Sequence, residues 1–141
     1  MLSTILNRVS QKRQREMLVR DLVSAVSRMD YSNIDQYLTE DFRFYDATGR
    51  SIVGRDRYIE EDRRFREAAG RPATIIDSLD HNRGEVLLRG HLESEIEEIG
   101  GPTMWRVLFR DGRICSAEVT RSLAQMTLPE YASRQHSHSS A

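Results

Sequence analysis

Between Gln11 and Met29 the apolar side chains Leu18, Leu22, Val26 and Met29 recur at spacings of four and three, with Arg and Asp between them. That pattern predicts a helix with one buried face. A second, short helix is expected after MDYSN. Ser32 and Asp35 supply a capping-box pattern there, and Ile34, Tyr37 and Leu38 its buried side. EDFRFYDATGRSIVG reads as a hairpin, with strands Phe42–Asp46 and Ser51–Val53 around a turn at Ala47–Arg50. A third helix runs from Arg55 to Ala69, with Tyr58, Ile59, Phe65 and Ala69 on one side and Gly70 and Pro72 ending it. From Ala73 the period changes to two. ATIIDSL, VLLRGHLESEIEEI, TMWRVLF and ICSAEVTRSLAQM read as four antiparallel strands joined by DHNRGE, GGP and RDGR.

This order predicts an α+β domain: three N-terminal helices packed on a curved, mostly antiparallel sheet, a cone with a cavity at its wide end. The expected boundaries are an N-terminal extension over 1–10, the domain over 11–126, and a flexible polar tail over 127–141. In the long third-to-last strand, Arg89, His91, Glu93, Glu95 and Glu97 alternate with Leu88, Gly90, Leu92, Ser94 and Ile96. Two registers follow. In one, Arg89 and His91 point into the cone. In the other, Val86, Leu88 and Leu92 do, which is the usual arrangement for a half-buried sheet. A bulge near Gly90 would mix the two.

Composition narrows the partners. The 141 residues carry a formal net charge of -1, so no long-range field gathers nucleic acid or anionic lipid. The single cysteine, Cys115, allows no internal disulfide and suits a reducing, cytoplasmic setting. No apolar run reaches the ~18 residues of a membrane span. The start, MLSTILNRVSQKRQRE, reads as an amphipathic extension and not as a signal peptide. No Walker, dinucleotide, HExxH or GxSxG motif is present, so neither a cofactor nor a metal is expected. His136 and His138 fall in the serine-rich tail. The arginines at 55, 57, 63, 64, 66 and 71 are interrupted by Glu60, Glu61, Asp62 and Glu67 and read as a solvated helix face.

Three stretches, MDYSNIDQYLTEDFRFYDATG, GRDRYIEEDRRF and FRDGRI, occur in an order that resembles the nuclear transport factor two-like superfamily. That superfamily includes SnoaL-like polyketide cyclases, ketosteroid isomerases, limonene epoxide hydrolases and scytalone dehydratases. The resemblance covers roughly Arg15 to Gln125 and implies a cystatin-like cone. It also implies a role for Asp46, which stands where ketosteroid isomerase-like sequences carry a proton-shuttling aspartate. At the mouth of an apolar cavity such a carboxyl would have a raised pKa. The two oxyanion donors of those enzymes fall near Leu22 and Trp105, so only the Trp105 indole N–H could serve. Limonene epoxide hydrolase-like enzymes carry an Arg and an Asp two apart on the long strand; Arg89 and His91 stand there.

The residues add candidates of their own. Trp105, Val107 and Phe109 alternate toward the cavity, Tyr45 and Tyr58 offer phenolic donors, and Arg121 could anchor a carboxylate. The expected function is a small cofactor-independent enzyme moving a proton on a small hydrophobic carbonyl compound. Asp46 would be its base, with His91 and Arg89 as partners. The alternative is a non-catalytic domain that binds a small molecule or dimerises, in which Asp46 only starts a turn. A homodimer is expected in each case, because a sheet with apolar residues on both faces needs a second cover.

Overall fold

The computed structural model describes residues 2–139. The described residues form α1 (Leu2–Ser27), a 3-10 turn (Ile34–Gln36), β1 (Leu38–Asp46), β2 (Ser51–Val53), α2 (Arg55–Ala68), β3 (Ala73–Asn82), β4 (Glu85–Glu93), β5 (Gly101–Arg110), β6 (Arg113–Thr120) and α3 (Leu128–Ser139). The six strands make one sheet in the order β2-β1-β6-β5-β4-β3. Neighbours are antiparallel except β1 and β6, which run parallel. Register shifts between Leu38 and Arg43, Ile76 and Ser78, and Leu108 and Phe109 bend the ladder. The apolar stripe of α1, Val19, Leu22, Val23 and Val26, is buried with Leu88, Val107, Ile114 and Ala117 of the sheet in one core.

Several expectations are corrected. The helices are not all N-terminal: α3 is C-terminal, and the segment after MDYSN is only a 3-10 turn. Ser32 caps nothing there; its hydroxyl donates to Asp30 Oδ1 at 2.7 Å. The segment expected as a polar tail is α3 itself. Leu128 and Ala132 are buried, and Tyr131 sits edge-on to Phe65 at 5.4 Å between centroids. The spacing of three and one that puts Leu128, Tyr131 and Ala132 on one face is enough to dock it on α2. Thr127 caps it, its Oγ1 accepting from the Glu130 N–H at 3.1 Å. Likewise α1 begins at Leu2 and runs through the boundary expected at residue 10, its first turns exposed.

In β4, Val86, Leu88 and Gly90 are buried while Arg89 is exposed, which selects the register with the apolar row inward. The strand ends at Glu93, so Glu95 and Glu97 lie beyond it. The bulge near Gly90 lies in the facing strand β3, between Ile76 and Ser78. Gly90 is required there, because a Cβ would collide with the Ile75 carbonyl oxygen. The outer face of the sheet shows Met104, 38% exposed, among paired charges such as Arg89 with Asp80. No helix among the described residues is long and apolar enough to cross a membrane.

Candidate functional site

Asp46 closes β1, only 3% exposed, and its carboxylate is saturated. Oδ1 accepts from the Thr48 N–H (3.0 Å), the Thr48 hydroxyl (2.6 Å) and the Arg50 N–H (3.2 Å). Oδ2 accepts from Arg50 Nε (3.0 Å) and the Thr127 hydroxyl (2.9 Å). A carboxylate offers about four lone-pair sites. None is left for a substrate proton. Burial opposes ionisation, but the bonds from Thr48 and Thr127 and the Arg50 charge outweigh it, and the Asp46 pKa falls below the ordinary carboxylate range. The raised pKa expected of a base is therefore corrected. Asp46 ties the β1–β2 turn to the start of α3.

The expected partners are elsewhere. Arg89 points outward and donates through Nη1 to Asp80 Oδ2 at 2.6 Å. His91 is 39% exposed on the same outer face, its Nδ1 3.0 Å from Asp77 Oδ2. Charged groups inside a small cone would each need a buried partner, whereas outside water and a facing carboxylate supply one. The constellation Asp46, Arg89 and His91 is not brought together.

Tyr45 also points outward, under the Arg43 guanidinium 4.2 Å from its ring centroid. Phe109 packs toward α1, with Arg15 at 5.9 Å. Val107 is 1% exposed and lies in the core. Trp105, Tyr58 and Arg121 do meet around one cavity, with Phe44, Phe65, Asp62, Arg66, Thr74, Thr103, Val119, Met126, Thr127 and Leu128. Its apolar wall is an aromatic cluster. Phe44 meets Trp105 edge-on at 5.2 Å and Tyr58 at 5.3 Å, and Phe42 meets Tyr58 at 5.0 Å. The free volume is about 30 Å³, room for about one water molecule.

The polar floor was not expected. Asp62 and Arg66 are 2% and 3% exposed, so the α2 arginine series is not uniformly a solvated face. Arg66 Nε donates to Asp62 Oδ2 at 3.0 Å, and the Tyr31 hydroxyl donates to the same oxygen at 2.6 Å. Arg66 Nη1 donates to the Pro72 carbonyl at 2.6 Å and Nη2 to Thr74 Oγ1 at 3.3 Å, which fixes the guanidinium. Both hydrogen bonds to the carboxyl fall on Oδ2, and Asp62 lines the cavity. Burial pushes the Asp62 pKa up, against the pull of Arg66 and Tyr31. Arg66 is held cationic by Asp62 despite its own burial. Burial also raises the Tyr58 phenol, and the neighbouring Asp62 charge adds to that.

One signal could have found this floor. Tyr58, Asp62, Phe65 and Ala69 are spaced four, three and four, so Asp62 shares the apolar face of α2. Glu61 is also buried, and His136 Nε2 lies 2.8 Å from its Oε1, tying α3 to α2. The side chain of His138 lies outside the described residues.

Comparison with known proteins agrees with this architecture. Residues 19–117 match the family model described as SnoaL-like domain. No functionally curated protein matches the chain in sequence. Among solved structures, a protein named as a SnoaL-like polyketide cyclase from Jannaschia sp. CCS1 superposes with a TM-score of 0.66 at 13% identity, covering 77% of this chain and 85% of that one. A ketosteroid isomerase-like fold protein from Catenulispora acidiphila, solved with trimethylamine, gives 0.61 at 15% identity over 75% and 85%. A cystatin-fold protein from Novosphingobium aromaticivorans gives 0.65 at 13% over 74% and 96%. Identities this low speak for the fold alone. With the family model spanning residues 19–117, the chain belongs to the SnoaL-like domain family, within the nuclear transport factor two-like fold.

Proposed function

We propose that the chain is a small cofactor-independent enzyme that moves a proton on a small hydrophobic carbonyl compound held in the cone, with Asp62 as the proton-carrying group in place of Asp46. The observation that carries this is Asp62 itself: a buried carboxyl lining the aromatic cavity, with Tyr31 and Arg66 both bonded to one of its oxygens. A buried carboxyl with a raised pKa beside a fixed cation suits general acid–base work. Arg66 keeps the ionised form accessible, so the carboxylate can take a proton from a carbon next to a carbonyl and return it. Trp105 and Phe44 hold the apolar body, and Tyr58 stands by the reacting end. Substrate enters by displacing the Met126–Leu128 side of the lining, where the unbranched Met126 yields most easily.

A second reading has an observation of its own. A free volume of about 30 Å³ is far below the ~300 Å³ and more of ordinary ligand sites, which favours a filled cone in a non-catalytic binding or dimerisation domain. Exchange of α-protons into D2O, followed by NMR on phenylacetone and 2-tetralone, separates the two. The enzyme reading expects exchange above buffer that Asp62→Asn lowers by about 10²–10⁴-fold while Asp46→Asn, corrected for stability, does not. No exchange above buffer leaves the binding reading in its place.

A further inference from the structure

The cavity has a second polar feature, at the ends of β5 and β6. Thr103 is 4% exposed, lines the cavity, and its hydroxyl oxygen has no hydrogen-bond partner among the described residues. It lies one residue before the last paired position, Met104 opposite Thr120. Arg121 follows Thr120 directly and lines the same cavity. Its guanidinium donates to the carbonyls of Pro102 (3.2 Å), Met126 (3.0 Å) and Gly101 (3.1 Å). These neutral acceptors fix its position and leave two of its five N–H groups unspent. Burial alone acts on the Arg121 charge, lowering its pKa, with no carboxylate set against it.

The charges of the lining do not cancel. Arg66 and Arg121 stand against Asp62 alone, and Arg66 already uses it. A partly buried cation without a counterion is costly. Beside it stands a buried hydroxyl that lacks a partner, and such a group gains most from a hydrogen-bonding ligand. We infer that the cone takes a small apolar carboxylate, its anionic head against Arg121 and Thr103 and its body along Phe44 and Trp105. This rests on the cone being the binding site, as proposed above, and narrows the carbonyl compound to one that also carries an acid group. A planar carboxylate suits the guanidinium fork, which can bind it through two parallel N–H groups.

The test compares acids with their amides, which match in shape and lack the charge. Benzoate with benzamide, and 3-phenylpropionate with its amide, are titrated at pH 7 against the fluorescence of Trp105, the chain's one tryptophan. The acids are expected to bind at least about tenfold more tightly, the scale of a hydrogen bond to a charged group. Arg121→Gln removes the preference and leaves the amide affinity near its starting value. Thr103→Val, which keeps the shape of the side chain, reduces it. If Arg121→Gln does not fold, the ratio in the unaltered chain and the Thr103→Val effect decide. Equal affinities, or tighter amides, overturn the inference and leave the cone as a binding site. Binding of neither acids nor amides overturns both.

Discussion

Asp62 and Arg66 stand one turn apart on the inward face of α2 and meet at 3.0 Å with both side chains closed from water. The pair sits where an apolar residue would be the ordinary choice. Such a pair gains little over a well-packed apolar one, but breaking it leaves a buried charge uncompensated. Its position beneath an aromatic wall is the physical basis for proposing the chemistry there.

Arg66→Met is therefore expected to destabilise the fold by about 3–5 kcal/mol and to push the Asp62 carboxyl further up, since its main cationic neighbour is gone. Asp62→Leu combined with Arg66→Met should recover most of the loss. Urea denaturation of the three chains measures both effects.

Asp62 also sets a pH limb. Its folded pKa is raised by burial, so its contribution to stability is fully present below the unfolded value of about 3.9 and is lost as pH rises through the folded value. In Asp62→Asn that decline disappears, and stability against pH becomes flatter on that limb. Denaturant midpoints collected across the limb show it.

Asp46 behaves in the opposite sense. Its folded pKa is depressed, so its contribution is fully present above about 3.9 and is lost as pH falls through the folded value. Asp46→Ala should lower stability at pH 7 by roughly 1–3 kcal/mol, the cost of the buried donors left unpaired, and weaken the acid-side dependence. Thermal melts at neutral and acid pH measure this.

Thr127 holds two structures at once, donating to Asp46 and capping α3. Thr127→Val should cost about 1–2 kcal/mol, and Thr127→Ser much less. Amide exchange in the first turn of α3 should speed up in the valine variant alone. Arg89→Gln and His91→Gln, exposed on the outer face, should stay within about 0.5 kcal/mol of the parent and leave ligand binding unchanged.

These contrasts show where the chain is readable from sequence. The hairpin and the meander follow from period-two alternation bounded by glycine turns, but the alternation of β4 fits two registers, and only the burial of Val86 and Leu88 in the fold selects between them. The docking of α3 is harder to see, because Leu128, Pro129, Tyr131 and Ala132 mark its buried face among serines, arginines and histidines. The floor of the cone is harder still. GRDRYIEEDRRF looks like a solvated charge run, and only the four-three-four spacing from Tyr58 puts Asp62 inside. Whether a turn aspartate such as Asp46 is open or saturated depends on Thr127, 81 residues away, which no local pattern reveals.

On the proposed function the working carboxyl of the cone is Asp62 and not Asp46. The most direct measurement is an NMR titration of both carboxyl carbons in one sample, assigned with Asp62→Asn and Asp46→Asn. Asp62 is expected to titrate above the ordinary value of about 3.9 and Asp46 below it. An Asp62 that titrates at or below that value would contradict it, since the carboxyl would then be a plain ion-pair partner of Arg66.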